Sequence, residues 1–235
     1  MIEIPIIFED NHLLVVKKPP NILSQGDKTG DADMLTLLKE DIKIRYNKPG
    51  NVYLGLVHRL DRPVGGVMIF AKTSKAASRL SDQIRKREFE KIYMAVIYGK
   101  PSKDKNRLIH YLLKDSKTNR VSTVRKDYEG AKEAVLDYEV IETVKGLSLV
   151  KINLLTGRPH QIRVQFSTIG HPLYADQRYG PKGNNEGQQI ALWCHEITCQ
   201  HPTLKERMSF TSLPEQQSPW DKFKLISNNK DTSIR

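Results

Sequence analysis

The sequence has little cysteine and no long apolar run. Only Cys194 and Cys199 are present in 235 residues, too few for the disulfide framework of small secreted proteins. No stretch reaches the roughly 20 apolar residues that a membrane-spanning helix needs, and the first residues lack the basic start and apolar core of a signal peptide. We therefore expect a cytoplasmic protein that does not associate with membranes.

The motifs of several common sites are also missing. Cys194, His195, Cys199 and His201 lie close together. The two cysteines are an odd number of residues apart, so a continuous strand sends them to opposite faces, and the second ligand pair of a zinc site is absent. The turn Val64-Gly65-Gly66 lacks the Lys-Ser/Thr of a phosphate-binding loop, and no nucleophile elbow supports serine hydrolysis. The sequence predicts neither a metal nor a cofactor.

Positive charge, by contrast, is in excess. The formal net charge is +11, which points to an acidic partner, with nucleic acid ahead of a membrane surface. The basic clusters are spread along the chain and are Lys17-Lys18, Arg85-Lys86-Arg87, Lys114, Lys117, Arg120 and Arg125-Lys126. This distribution suits a charged face on a folded domain, and the alternative is a basic surface that serves solubility alone.

The length and an apolar content of 38% allow one domain or two small ones with a sizeable core. No internal repeat or linker divides the chain. We expect one domain over residues 1–213, without a separate N-terminal domain, followed by a tail over residues 214–235. In that tail Trp220 and Phe223 can dock on the body, and the polar residues beyond Ser227 are expected to fray.

Apolar periodicity predicts more strands than helices, joined mostly by short turns. The predicted strands are 6–8, 13–17, 67–71, 90–98, 132–143, 147–154, 190–200 and 207–212, with a basic hairpin over 107–126. The predicted helices run from the cap Asp33 to about residue 46, from Thr73-Ser74 to Arg87, and from Pro159 to Ile169, with Gly170 at the far end. This pattern predicts an α+β fold, in which helices pack on a mixed, largely antiparallel sheet.

A single carboxylate stands just before a tight turn. Asp61 lies between Arg59 and Arg62, and the turn Pro63-Val64-Gly65-Gly66 follows it. A carboxylate among guanidinium groups stays ionised at neutral pH. It suits a nucleophile or base acting on an electron-poor centre, in a place that also attracts polyanions. The alternative is a structural ion pair at a turn.

Two further residues carry chemistry that fits this site. Tyr93 interrupts an apolar strand, and a phenol can pack its face on a flat base while its hydroxyl stays paired; a core tyrosine is the alternative. Arg163 lies early in a short predicted helix, on the side shared with His160. From there it could reach a carboxylate of another element, and an ordinary surface arginine is the alternative.

Taken in order, these segments resemble the RluA-type pseudouridine synthases. The segment His58-Arg59-Leu60-Asp61-Arg62, with its Gly-rich turn and Ala71-Lys72, is similar to the family's catalytic motif. The other matching segments are Val15 to Pro20 (opening segment), Lys91 to Val96 (tyrosine strand), Thr156 to Arg163 continuing to Gly170-His171-Pro172-Leu173 and Asp176 to Gly180 (arginine motif), and His201-Pro202 (closing strand). The resemblance covers about residues 6–213.

The resemblance implies a pseudouridine-synthase-like fold and an enzyme acting on tRNA or rRNA without cofactor or metal. Asp61 would attack or deprotonate the target nucleoside, so that uracil detaches, rotates and rejoins through carbon 5. Tyr93 would stack on the uracil, Arg163 would pair with Asp61, and Arg59 would help to hold the flipped nucleotide out of the stack. The remaining substrate-binding residues implied by these motifs are His58, Leu60, Arg62, Arg158, His160 and Gln161.

The chain departs from the family in two places. Val64-Gly65-Gly66 stands where Thr-Ser-Gly is common, and Leu192-Trp193-Cys194 stands where Leu-His-Ala is frequent. We expect backbone groups or water to replace the lost hydroxyls of the turn. We also expect the small N-terminal RNA-binding domain of many relatives to be missing. The body itself should then recognise a compact element such as a stem-loop, as a monomer with no obligatory protein partner.

Two other functions remain open from the sequence. A non-catalytic RNA-binding paralogue or chaperone would use the same basic face. A hydrolase that cleaves the base without rejoining it would normally need two facing carboxylates, and no second one is evident near Asp61.

Overall fold

The computed structural model describes residues 2–181 and 187–227, and these form two compact units. The first unit contains residues 2–90 and 194–213, and the second contains residues 91–181, 187–193 and 214–227. The polar end of the chain predicted to fray, from residue 228 onwards, lies outside the described residues.

The elements follow the predicted order closely. The strands are β1 Ile6–Glu9, β2 Leu13–Lys18, β3 Gly55–Leu56, β4 Gly65–Ala71, β5 Glu90–Tyr98, β6 Lys105–Lys114, β7 Val121–Val124, β8 Lys132–Val144, β9 Leu147–Leu154, β10 Leu192–Gln200 and β11 Arg207–Thr211. The helices are α1 Met34–Arg45, α2 Ser74–Lys86, α3 Gln161–Thr168 and α4 Lys224–Ser227, with a 3₁₀ turn at Trp220–Lys222. No helix within residues 2–181 and 187–227 is both long and apolar enough to cross a membrane.

In the first unit the strands follow the order β1-β2-β4-β10, with β3 paired to β4 and β11 to β10. Strands β2 and β4 are antiparallel, with Leu13 opposite Ala71 and Lys18 opposite Gly66. Every residue of β4 is buried, as its continuous apolar run predicts. The turn before Gly65 is therefore attached to a strand that is covered on both faces.

The two long helices of the first unit begin at the predicted caps. The Asp33 carboxylate accepts the N–H of Thr36 at 3.1 Å, and the Thr73 hydroxyl accepts the N–H of Ala76 at 3.1 Å. Each cap satisfies a backbone donor that the first helical turn leaves without an internal partner. Local sequence is thus sufficient to start both helices.

The second unit is built on an antiparallel sheet in the order β5-β9-β8-β6-β7. The predicted basic hairpin is confirmed as β6 and β7. Leu112 pairs with Lys132, whereas Lys105 pairs with Glu139. The tip of the hairpin therefore lies beyond the N-terminal end of β8, and the turn between β8 and β9, which contains Lys145, lies at the opposite end.

Helix α3 begins later than predicted, so the placement of Pro159 at its first position is wrong. His160 adopts a left-handed φ of 52°, and the helix starts at Gln161. The Gln161 side-chain oxygen accepts the Thr156 hydroxyl at 2.8 Å and the Arg158 N–H at 3.0 Å. This amide holds the preceding residues in a turn and delays the helix.

The tail packs on the second unit through apolar side chains. Trp220, Phe223 and Ile226 are all buried, and the N–H of Lys224 donates to Glu142 of β8 at 2.9 Å. The two aromatic residues singled out from the sequence are therefore part of the core of this unit.

Candidate functional site

Asp61 opens a tight turn in the first unit. The N–H of Val64 donates to the carbonyl of Asp61 at 2.9 Å, which closes a four-residue turn. Asp61 itself is half-buried, while the flanking Arg59 and Arg62 are exposed. Since β4 begins one residue after this turn, the carboxylate belongs to a segment fixed by a buried strand.

The ammonium group of Lys18 holds this turn from inside the unit. Lys18 is fully buried, and its Nζ donates to the carbonyls of Pro19, Arg62 and Val64 at 3.0, 3.1 and 2.7 Å. Three acceptors use all three ammonium protons. Burial lowers the pKa of Lys18 to about 7, although the negative charge of Asp61 opposes that shift. Counting Lys18 among the surface cations was therefore wrong.

The loop after β2 holds the backbone on either side of the candidate aspartate. The Ser24 hydroxyl accepts the N–H of Leu60 at 3.1 Å and donates to the carbonyl of the same residue at 2.7 Å. The Arg62 guanidinium pairs with Asp31 at 2.7 Å and donates to the carbonyl of Asn21 at 3.3 Å. Backbone groups, one serine and one lysine thus hold the segment in which Val64-Gly65-Gly66 replaces the usual hydroxyl residues.

Two of the predicted substrate-binding residues in this unit make internal contacts. His58 Nε2 accepts the N–H of Ile69 at 3.0 Å, and its ring lies 5.4 Å from that of Phe89. Leu60 is 5% exposed and belongs to the core. Arg59, in contrast, is an exposed cation beside the turn. Contacts of His58 and Leu60 with substrate stay predictions.

In the second unit Arg163 is buried against Asp176. Its Nε and Nη2 donate to the two carboxylate oxygens at 2.8 Å each, the two-pronged geometry that makes such pairs strong. Burial raises the pKa of Asp176, but the Arg163 hydrogen bonds and charge, with the N–H groups of Arg178 and Tyr179, lower it below its usual value overall. Arg163 is 6% exposed, so the alternative of a surface arginine is wrong.

Tyr179 connects Arg163 to the predicted residue His160. The Arg163 guanidinium carbon lies 5.2 Å from the centre of the Tyr179 ring. The phenol oxygen accepts the N–H of Val121 at 2.9 Å and lies 2.7 Å from His160 Nδ1. Because the oxygen accepts from Val121, its own proton is available to His160.

Sequence reasoning placed Asp176 and Tyr179 in the arginine motif but gave neither of them an individual role. The available signal was their position in the turn-rich, aromatic stretch from His171 to Gly180, where a lone carboxylate follows an arginine-bearing helix. Such a pairing across a loop has no fixed spacing, so no local pattern reveals it.

Arg158 and Gln161 fix the beginning of α3. The Gln161 amide, 3% exposed, donates to the carbonyl of Val135 at 3.1 Å and to the side chain of Gln165 at 2.9 Å. Arg158 Nε donates to the carbonyl of Glu133 at 2.9 Å. Their contact with a substrate stays a prediction.

Tyr93 lies on β5 of the second unit, opposite Ile152 of β9, and is 6% exposed. Asp61 belongs to the first unit, whereas Tyr93 and Arg163 belong to the second. The pairing of Arg163 with Asp61 stays a prediction.

The residues considered for zinc make separate contacts. His195 Nδ1 lies 2.8 Å from the carbonyl of Ser212, and His201 Nε2 lies 2.8 Å from Asp10. Cys194 and Cys199 are buried and are not joined in a disulfide, and burial raises the pKa of Cys199 to about 11. In the described part of the chain, no three His, Cys, Asp or Glu side chains form a group that could hold a metal ion.

Comparison with known proteins identifies the family of this chain. The profile of the RNA pseudouridylate synthase family matches residues 12–168. An uncharacterized RNA pseudouridine synthase of Aquifex aeolicus is 32% identical over 222 residues, which cover 89% of this chain and 69% of that protein. The dual-specificity RNA pseudouridine synthase RluA of Haemophilus influenzae is 33% identical over 211 residues, covering 88% of this chain and 91% of that one.

The fold has a solved counterpart. The structure of human RNA pseudouridylate synthase domain containing 4 superimposes with a TM-score of 0.75 at 22% identity, over 90% of this chain and 89% of that one. The predicted α+β, pseudouridine-synthase-like fold is therefore confirmed. The chain spans 66% to 73% of the length of the first three curated relatives that it matches. It belongs to the RNA pseudouridylate synthase family, within its RluA-type group, and its enzyme class is that of an RNA pseudouridine synthase.

Proposed function

We propose that this protein converts specific uridines to pseudouridine in tRNA or ribosomal RNA, with Asp61 as nucleophile or base. The observation that carries the proposal is the Asp61 turn, whose backbone is held by Lys18 and Ser24 within the family's catalytic motif. An ionised carboxylate contributes to catalysis only when its position is fixed. The names of the Aquifex and Haemophilus relatives, both RNA pseudouridine synthases, support an RNA substrate.

The isomerisation of uridine to pseudouridine needs few groups besides a carboxylate held in position. The bond from C1′ to N1 of uracil breaks and a bond from C1′ to C5 forms, while C5 loses a proton and N1 gains one. Substrate and product have the same composition, so no oxidant, reductant or co-reactant is consumed. The target base must leave the stack before any group can reach it.

The other residues receive supporting roles in this proposal. Tyr93 stacks on the uracil, and Arg163 pairs with Asp61 and orients it. Arg59, an exposed cation beside the turn, helps to hold the flipped nucleotide. Further substrate contacts are proposed for residues of the same two motifs, namely His58, Leu60, Arg62, Arg158, His160 and Gln161.

We also propose the setting in which the enzyme works. The two units together form one catalytic domain over residues 1–213, which acts as a monomer in the cytoplasm and recognises a stem-loop. Activity on large assembled RNA alone, with none on isolated stem-loops, would contradict this mode of recognition.

The substitution Asp61→Asn tests the assignment of the aspartate. It keeps the shape of the side chain and removes its charge, so pseudouridine formation should fall below detection while RNA binding remains. Asp41→Asn, at a half-buried position on α1, is the matched control and should retain full activity. Turnover by the Asp61→Asn protein would contradict the proposed role.

A transcriptome-wide map of pseudouridine, with and without the protein, tests the function as a whole. Sites that vanish with the protein identify its RNA, and an unchanged map would contradict the proposal. Binding without product would indicate a non-catalytic RNA-binding protein. Free uracil in the reaction would indicate a hydrolase.

A further inference from the structure

The β6–β7 hairpin carries a group of exposed cations at one end of the second unit. We call residues 114–121 the hairpin tip; every one of them except Val121 is exposed. The cations on the tip are Lys114, Lys117 and Arg120, and the exposed Arg125 and Lys126 follow β7. Arg120 lies 5.7 Å from the ring centre of Tyr179, and Arg125 pairs with Asp127 at 2.9 Å. The remaining cations of the tip are the exposed Lys114 and Lys117.

Asp115, the acidic residue of the tip, stabilises the local fold of the tip by hydrogen bonds. The Asp115 carboxylate accepts the N–H of Lys117 at 2.8 Å and the hydroxyl of Thr118 at 2.7 Å. The N–H of Asp115 donates to the carbonyl of Arg120 at 2.9 Å. These bonds fold the tip locally, as such carboxylate turns commonly do, so that its cations are displayed on an ordered loop.

Direct hydrogen bonds tie the tip to the segment that holds Arg163. Arg178 Nη1 donates to the carbonyl of Asn119 at 2.8 Å and to that of Thr118 at 3.4 Å. The adjacent Tyr179 accepts the N–H of Val121, the last residue of the tip. Residues 176–179 therefore contact the tip on one side and the Arg163 guanidinium, through Asp176, on the other.

We propose that the hairpin tip is a binding surface for the phosphate backbone of the RNA substrate, and that it sets the RNA at a fixed place relative to Arg163. The inference rests on the proposed function and names the surface that this function uses. Cations on an ordered loop bind phosphates by displacing counterions, which gives affinity without reading sequence. The hydrogen bonds of residues 176–179 hold the tip in a fixed position relative to Arg163, so RNA bound on the tip has a fixed position relative to Arg163 as well.

The same unit supplies a matched control. Lys145 is also an exposed lysine in a tight turn, but this turn lies at the opposite end of β8 from the hairpin tip. Strand β8 has 13 residues, and at about 3.3 Å per residue it separates the two turns by roughly 40 Å. This distance exceeds the Debye length of about 10 Å at 0.1 M salt.

The experiment compares Lys117→Glu with Lys145→Glu in the full chain. Both variants change the net charge equally, so an effect of overall charge appears in both. RNA affinity is measured from 50 to 300 mM salt with an RNA that the wild-type protein modifies, or with bulk tRNA if none is known. Lys117→Glu should weaken binding several-fold and reduce the slope of log affinity against log salt by about 0.7 to 0.9, the value for one lost phosphate contact.

Turnover separates this surface from the catalytic groups. Lys117→Glu should raise KM more than it lowers kcat, because a phosphate contact acts mainly on the binding of the substrate. Lys145→Glu should leave both parameters at the wild-type values. Equal effects of the two variants on affinity, or a loss confined to kcat, would overturn the inference. Absence of product with the wild-type protein would contradict the proposed function, and the binding comparison would still decide the role of the tip.

Discussion

Arg163 and Asp176 form a buried, two-pronged ion pair, in which both partners are at most 8% exposed and both N–O distances are 2.8 Å. Asp176 also accepts two backbone N–H groups of its own loop. The guanidinium is therefore held by a carboxylate that is itself fixed. We expect Asp176 to be a positioning residue for Arg163.

The substitution Asp176→Asn should impair both stability and turnover. The amide removes the negative charge that compensates a buried guanidinium, and breaking a buried pair costs about 3 kcal/mol or more of unfolding free energy. A displaced Arg163 should lower kcat by roughly tenfold to a hundredfold, with a smaller change in KM. Denaturant titration and single-turnover kinetics measure the two effects.

Asp137→Asn is the control for this pair. Asp137 receives two hydrogen bonds from Arg107 at 2.7 and 2.9 Å, in the same geometry, but the side chains of Arg107 and Asp137 are 58% and 36% exposed. An exposed pair contributes at most about 1 kcal/mol, so this variant should keep its stability and kcat. Equal losses in both variants would show that burial does not decide the role of Asp176.

Gly66 should tolerate no side chain. A β-carbon at this position would lie 2.2 Å from the carbonyl oxygen of Cys194, and its φ of 123° is a conformation that L-residues rarely adopt. The opposing atoms are backbone, so they cannot rotate away. Gly66→Ala should lower the unfolding free energy by about 3 kcal/mol or more, measured by thermal or chemical denaturation.

Gly50 offers the matching control in the same unit. A β-carbon there meets no atom within 4 Å, and its φ lies outside the left-handed region. Gly50→Ala should be neutral or stabilise by up to about 1 kcal/mol, because alanine restricts the unfolded chain. A mild effect of Gly66→Ala would show that the turn and the strand beside it can separate.

The pH dependence of stability should reveal the buried Lys18. Burial lowers the pKa of Lys18 to about 7 in the folded protein, against an ordinary value of 10.5. Between these values the unfolded chain binds a proton that the folded protein lacks, so the free energy of unfolding rises with pH. Relative to Lys18→Met, the wild-type protein should gain about 1 kcal/mol per pH unit above pH 7. Lys75→Met, an exposed position on α2, controls for the lost charge, and a flat difference for Lys18→Met would contradict the expectation.

The Ser24 hydroxyl should matter for the geometry of the turn. Its loss leaves the N–H and carbonyl of Leu60 without this partner in a buried place, at a cost of about 1 to 3 kcal/mol for each buried group left unpaired. Ser24→Ala should therefore lower stability and reduce kcat more than KM, because the residue beside Asp61 is displaced. Ser81→Ala, on the exposed side of α2, should change neither. Wild-type kcat in the Ser24→Ala enzyme would show that the turn keeps its geometry without this hydroxyl.

Local sequence patterns predicted the helices and strands. The features that these patterns did not predict depend on contacts between residues far apart in the chain. Asp33 and Thr73 were identified as caps because a cap acts on residues three positions away. The start of α3 was misplaced because the Gln161 side chain binds the preceding turn at Thr156 and Arg158 and is itself held by the carbonyl of Val135, 26 residues earlier in the chain. No periodicity in a single segment encodes such a bond.

In the candidate site, too, local sequence revealed some residues, whereas others were missed because their partners are distant in the chain. Asp61 was singled out by its neighbours in the sequence, and Tyr93 and Arg163 by the order of matching motifs. The burial of Lys18 was missed because a pair of adjacent lysines is typical of a surface, and its three carbonyl acceptors belong to Pro19 and to Arg62 and Val64 in the turn. Asp176 was missed because its partner Arg163 lies 13 residues away across a loop.

The carbonyl contacts of Lys18 have a consequence for how this turn can evolve. Every amino acid carries a carbonyl oxygen, so an ammonium group bound to the carbonyls of Arg62 and Val64 is indifferent to the side chains at those positions. The hydroxyl residues usual in the family can then drift to valine and glycine, provided that Gly66 and Lys18 remain. A search that requires those hydroxyl side chains would overlook such chains, whereas a search for a buried lysine on the strand beside the turn would retain them.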